Sequence, residues 1–193
     1  MESKKKRHPL GVFLDAANTV LDRTSGRWLE SSPTLRPSMM RVKGSELVGV
    51  EIGVAEGRNS ERMLRQMPIK KIFLIDPYIA HFQHPIAPTA HRKVALKRLR
   101  KFRDRIVIVD RKAEDKGVAD SIPNELDFVY IDGDHSYKMV TRDIEIYFPK
   151  VRKGGVIGGH DINMISVARA VDDFARKKRL KPHTERMDWW IVK

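Results

Sequence analysis

From residue 46 onward, short apolar runs alternate with stretches whose apolar residues recur at helical spacing. The runs are "ELVGVEIG", "KKIFLID", "RIVIVD", "LDFVYID" and "GGVIGGHD". Each predicts a strand buried on both faces. Between them, "GRNSERMLRQM" puts Met63, Leu64 and Met67 on one helical face, and residues 88–103 put Val94, Ala95, Leu99 and Phe102 on another. "AEDKGVADSI" reads as a short helix, and a stripe of Tyr137, Val140, Ile144 and Phe148 follows the fourth run. A last helix carries Val167, Ala170, Val171 and Phe174, and the tail "PHTERMDWWIVK" suits two short strands around Met187 and Asp188.

Buried strands alternating with amphipathic helices imply a mostly parallel sheet covered on both faces. Right-handed crossovers then wind the chain into a doubly wound, Rossmann-like α/β fold. The two tail strands have no room for a helix between them, so they are expected to pair antiparallel. Upstream, Leu10, Phe13, Leu14, Ala17, Val20 and Leu21 form a helical stripe over 10–23, and residues 24–45 are rich in Ser, Pro, Gly and Arg. The expected organisation is a flexible basic tail at 1–9, a helix and loop at 10–45 covering the site, and one domain at 46–193.

The 193 residues carry 38 Lys and Arg against 25 acids, a net charge of +13. That excess favours anionic partners, nucleic acid among them, or else is a solvated basic surface. Its densest patch is the helix at 88–103, with Lys93, Lys97, Arg100 and Lys101 on one face. The chain has no cysteine, which excludes disulfides and thiolate metal sites. It shows no membrane-spanning run and no secretory leader, so a cytoplasmic location is expected. His81, His84 and His91 are too irregularly spaced to suggest a metal site. One of Trp189 and Trp190 is expected in the core and the other at a pocket or interface.

In an open parallel sheet, ligands bind outside the carboxyl ends of the strands. The first strand closes as "VEIGVAEGRNS", where Gly53 and Gly57 flank a tight turn that lets a ligand approach the backbone. Glu51 lies at that strand tip, and Asp76 closes the second strand, where a carboxylate accepts ribose hydroxyls. Together these residues point to a nucleoside-containing cofactor. A dinucleotide site usually reads G-x-G-x-x-G with pyrophosphate at the helix N-terminus. Here Ala55 takes the middle position, and Glu51 and Glu56 place negative charge where pyrophosphate would sit. Carboxylates repel phosphate and attract an amino group or a sulfonium. S-adenosylmethionine has both and carries no phosphate, so the charge favours it over NAD.

"VEIGVAEGRNS", "LIDPY", "FVYIDGDHSY", "GGVIGGHD" and "VARAVDDF", in that order over about residues 46–178, resemble the class I S-adenosylmethionine-dependent methyltransferases. The nearest branch is the small O-methyltransferase-like group with an I-D-G-D-H-S-Y segment, the methyltransferase domain 24 type. The resemblance implies a seven-stranded sheet with an antiparallel last strand. It implies that Gly53, Val54, Ala55 and Gly57 pass beneath the methionine part of the cofactor and that Glu51 sits near its amino group. Asp76 would hold the ribose with Pro77 and Tyr78 beside it, Ala113 and Glu114 would flank adenine, and Asp132 would close the cofactor site. Ala55 stands where many relatives have glycine.

Asp132, Asp134 and His135 leave the fourth strand, and His160 and Asp161 leave the fifth. Neighbouring parallel strands lie about 4.8 Å apart, so these side chains converge if the two strands are adjacent. Acids and imidazole around one point suit a divalent cation. Matched to catechol and antibiotic-sugar O-methyltransferases, the ligands would be Asp132, His160 and Asp161, holding magnesium or manganese. Imidazole at His160 shifts the choice toward manganese, iron or zinc, or removes the site. His135 falls where catechol-type enzymes place a catalytic lysine, and its ordinary pKa near ~6.5 suits a base for an acceptor hydroxyl. Each residue also has a plain structural use, Asp134 and His135 as caps of the helix starting near Ser136.

The expected activity is methyl transfer to an oxygen of a small or medium acceptor, assisted by a divalent metal. The alternatives are an RNA ribose methyltransferase using the basic surface, a nucleotide-binding module without catalysis and, more distantly, an NAD oxidoreductase. No N-P-P-Y or D-P-P-Y segment follows the fourth strand, which argues against methylation of base amines.

Overall fold

A computed structural model describes residues 34–79 and 88–193. The helical stripe expected at 10–23 lies outside the described residues, as do His81 and His84. The strands are β1 (Leu47–Ile52), β2 (Ile69–Ile75), β3 (Ile106–Val109), β4 (Leu126–Ile131), β5 (Val151–Gly159), β6 (His183–Glu185) and β7 (Asp188–Val192). The α-helices are α1 (Arg58–Gln66), α2 (Pro88–Leu99), α3 (Val118–Ser121), α4 (Tyr137–Tyr147) and α5 (Ile165–Lys178). All five apolar runs are strands, and the tail forms the antiparallel pair β6–β7.

The seven strands form one sheet in the order β3-β2-β1-β4-β5-β7-β6. The first five are parallel, and β7 inserts antiparallel between β5 and β6. Strand order reverses between β1 and β4, which opens a crevice at their carboxyl ends. The register levels those ends: Ile52 pairs with Ile75 and Ile131, Ile75 with Val109, and Ile131 with Gly159. Gly53, Asp76, Asp110, Asp132 and His160 therefore follow one another along a single rim.

Alternate residues of each strand feed two cores. Val129 and Ile131 of β4 pack with Val140, Ile144, Val167, Val171 and Phe174 on one face. Phe128 and Tyr130 pack with Met63, Leu64, Leu99 and Trp190 on the other. Trp189 and Trp190 thus enter opposite cores, both buried. Two residues of the predicted stripes depart from them. Val94 is exposed because α2 packs through Ala95 and Leu99. Tyr137 opens α4 at the surface, where its hydroxyl donates to Asp173 of α5 at 3.0 Å.

The basic face of α2 is partly neutralised. Arg92 pairs with Asp110 at 2.6 Å, and Glu61 receives Arg98 at 3.3 Å and Lys101 at 3.2 Å. No described helix is long and apolar enough to cross a membrane.

Gly53 makes the tightest contact along the rim. A Cβ there would lie 2.1 Å from the Asp132 carbonyl oxygen, and its φ is +85°. Gly117 has the same backbone hand, φ +83°, with nothing within 4 Å of a Cβ. Gly117→Ala is expected to cost about 1 kcal/mol, the left-handed term alone. Gly53→Ala adds a backbone clash and is expected to cost about 3 kcal/mol or more. Urea unfolding of both variants checks this, and equal losses would contradict the tight packing at the rim.

Candidate functional site

The β1–α1 turn is held by backbone and by one carboxylate. Gly53 N–H donates to the Ile75 carbonyl at 2.9 Å. Val54 and Ala55 N–H both donate to Asp76 Oδ2 at 2.9 Å, and Tyr78 N–H donates to Asp76 Oδ1 at 2.8 Å. Asp76 therefore sets the shape of the turn and also lines the cleft above it. Ala55 adopts φ +47° at the position where the family resemblance expects glycine, so the backbone keeps the left-handed bend and carries its strain.

A cleft of about 240 Å³ opens over this turn. Of the residues expected at the cofactor, Gly53, Ala55, Asp76, Pro77, Tyr78, Ala113, Glu114 and Asp132 line it. Val54 and Gly57 lie beneath the turn, and Val54 is buried. Glu51 does not line the cleft. It is buried and accepts hydrogen bonds from Asn59 Nδ2 at 3.0 Å and from the Ser60 hydroxyl, so it braces the start of α1. Burial pushes its carboxyl up to about 7, against the opposing pull of those two donors.

At the other end of the rim the acids and histidines converge because β4 and β5 are neighbours. His135 Nε2 lies 2.9 Å from Asp161 Oδ2 and 3.9 Å from Asp132 Oδ1. Asp161 Oδ1 lies 3.1 Å from His160 Nδ1. Arg36 Nη1 reaches His160 Nε2 at 2.8 Å. An arginine only donates, so Nε2 is the accepting nitrogen and Nδ1 carries the hydrogen toward Asp161. Both nitrogens of His160 are thereby engaged. The donor atoms that share one point belong to Asp132, His135 and Asp161, all within 4.8 Å of one another. The grouping differs from the sequence-derived trio at one place, with His135 where His160 was expected. Two carboxylates and an imidazole fit a divalent transition metal better than magnesium.

Charge at this cluster changes the role of His135. Its interactions with Asp132 and then Asp161 raise its pKa to about 10, against the effect of burial. The base role rested on an ordinary imidazole; between two carboxylates the ring holds its proton at neutral pH. Burial alone would raise Asp161, yet contacts from His135 and His160 hold it well below the usual carboxylate range. Asp134 does not cap α4: Ser136 is the N-cap, its hydroxyl accepting from Met139 N–H, while Asp134 Oδ1 accepts from Ser136 N–H at 2.8 Å just before it.

Sequence reasoning missed two residues. Arg36 belongs to a segment without periodicity, yet it is buried beside His160, while Ser38 N–H and hydroxyl donate to Asp188 at 3.1 and 2.6 Å. Asp143 lines the cleft from α4. An acid beside Val140 and Ile144 within an apolar stripe was the available signal.

Glu51 generates a pH prediction. Its folded pKa, about 7, exceeds the unfolded value, so the native state binds the proton more tightly. The resulting stability is present below the unfolded pKa and is lost as pH rises through about 7. Glu51→Gln is expected to flatten the fall in stability from pH 4.5 to 8, by on the order of 3 kcal/mol at most. Urea unfolding of both proteins across that range measures it, and parallel pH profiles would contradict the assignment.

Comparison with known proteins agrees with this architecture. Residues 50–162, more than half of the chain, match the family model described as a methyltransferase domain. An uncharacterized protein of Acanthamoeba polyphaga mimivirus is 30% identical over 118 residues, which are 58% of this chain and 50% of that relative. The chain therefore spans about half the length of that curated relative. Among solved structures, the O-methyltransferase from Bacillus cereus in complex with SAH superposes with a TM-score of 0.60 at 18% identity, covering 98% of this chain and 93% of that one. An rRNA methylase from Streptococcus thermophilus gives 0.59 at 12% identity, covering 81% and 92%. At these identities the likeness is one of fold. With its family model matched across β1 to β5, the chain belongs to the methyltransferase domain family.

Proposed function

We propose that this chain transfers a methyl group from S-adenosylmethionine to an oxygen of a small or medium acceptor. The observation that carries the reading is the packing of Gly53 against the Asp132 backbone. It brings the turn that would receive the methionine part of the cofactor against the acid–histidine cluster. The cleft itself is lined by the acids Asp76, Glu114, Asp132 and Asp134, against one lysine, Lys112. That lining favours a sulfonium and an amine over a pyrophosphate. Arg92 and Arg98 of α2, and Lys101 just beyond its end, are drawn into ion pairs, which favours a small acceptor over RNA.

The transfer forms an O–CH3 bond and breaks an S–CH3 bond, leaving S-adenosylhomocysteine and releasing the acceptor proton. In this reading Asp132, on the cleft wall, takes that proton. His135, protonated between Asp132 and Asp161, stabilises negative charge developing on the acceptor oxygen. His160 and Arg36 hold Asp161 from behind. With the His135 proton displaced, Asp132, His135 and Asp161 are also the residues that would hold a divalent metal. When bound, such an ion would supply Lewis-acid lowering of the acceptor hydroxyl's pKa.

Asp132→Ala is expected to leave the fold intact and to reduce methyl transfer by about 100-fold or more. The assay follows labelled methyl from S-adenosylmethionine into a panel of catechols, phenols and sugar hydroxyls, with RNA as a separate arm. Transfer undiminished in Asp132→Ala would defeat the assigned role of Asp132. Transfer to RNA alone would defeat the small-acceptor reading.

A further inference from the structure

Asp143 has no task in the chemistry above, and its position is unusual. It is 3% exposed, its Oδ1 has no hydrogen-bond partner, and the side chain forms part of the cleft wall. A buried carboxyl without a partner is costly, so an unfilled carboxyl at a cleft asks for a ligand. The helix locates which end of the cleft it serves. Met139, Asp143 and Tyr147 are spaced four apart and share one face of α4. Met139 lines the cleft from the first turn of α4. Tyr147, one turn beyond Asp143, donates its hydroxyl to the Ala113 carbonyl at 3.0 Å. Asp143 is therefore held near the Ala113–Glu114 turn, with Glu114 and Asp134 the acids that act on it.

We propose that the Asp143 carboxyl reads the amino edge of the cofactor's adenine, donating its own proton to N1 and accepting a hydrogen bond from the 6-amino group. This rests on the nucleoside reading of the cleft. Adenine offers an acceptor and a donor side by side, and a neutral carboxylic acid offers the complementary pair. The surroundings keep the acid neutral: burial raises its pKa to about 8, helped by Glu114 and Asp134 and opposed by Arg142. The other charged or titratable groups on the same cleft are Asp76 and Tyr78 after β2, Lys112 after β3, Asp132 after β4 and His91 of α2, with Tyr147 on Asp143's own helix.

The test is calorimetric titration of the wild type, Asp143→Asn and Asp143→Leu with S-adenosylhomocysteine at pH 6.5 and 8.5. On the wild type, an analogue carrying unsubstituted purine, without the 6-amino group, is compared. An asparagine amide reproduces the donor–acceptor pair without titrating, so Asp143→Asn is expected to bind within about 3-fold of wild type at pH 6.5. Asp143→Leu and the purine analogue are each expected to lose about 10-fold. Between the two pH values the wild type is expected to weaken about 4-fold more than Asp143→Asn, as the neutral fraction falls. The analogue and pH arms use wild type and an isosteric variant, so they stand whether or not the leucine variant folds. Wild-type affinity in Asp143→Leu, or equal binding of the purine analogue, would overturn the adenine assignment alone. A wild-type protein that binds no S-adenosylhomocysteine would overturn the nucleoside reading and this inference with it.

Discussion

One close approach organises the molecule: the backbone of the β1–α1 turn, at Gly53, rests on the backbone leaving β4, at Asp132. Nothing but glycine fits there, because a Cβ would enter the Asp132 carbonyl. The approach is possible because β1 and β4 are sheet neighbours of level register across the point where strand order reverses. It fuses two sites that lie far apart in sequence. A ligand on the first turn necessarily has its reactive end near the acids of β4 and β5.

The second constraint is electrostatic. In a protein of net charge +13, the carboxyl ends of the strands nevertheless collect acids. The fold manages them by different means. Asp76 spends its charge on three backbone N–H groups of the turn and the following loop. Asp161 is held ionised by two histidines, while Asp188, raised by burial, accepts hydrogen bonds from Ser38 and the Tyr130 hydroxyl. Glu51 and Asp143, both deeply buried, are pushed toward their neutral forms. The result is a cleft whose exposed acids face a ligand while the remainder are internally compensated.

Much of this was legible along the chain. Five apolar strands, the antiparallel tail and the rim residues Gly53, Asp76 and Asp132 all follow from periodicity and from which residues close each strand. What stayed hidden depends on which side chains meet across the sheet. Glu51 occupies the expected strand tip, but its side chain turns under the β1–α1 turn to Asn59 and Ser60. Histidine spacing alone gave no reason to prefer His135 over His160 at the cluster. Arg36, from an aperiodic segment, makes the difference by capturing His160 Nε2. An imidazole's ordinary pKa also predicts a base at His135, and only its distances to Asp132 and Asp161 reveal a cation.

The most direct test of the central claim is a crystal structure of the protein grown with S-adenosylhomocysteine and manganese. The account predicts the ribose on Asp76, the sulfur over the Gly53–Asp132 contact and the base beside Ala113. Density for the nucleoside elsewhere, or a cleft that takes NAD and refuses S-adenosylhomocysteine, would contradict it.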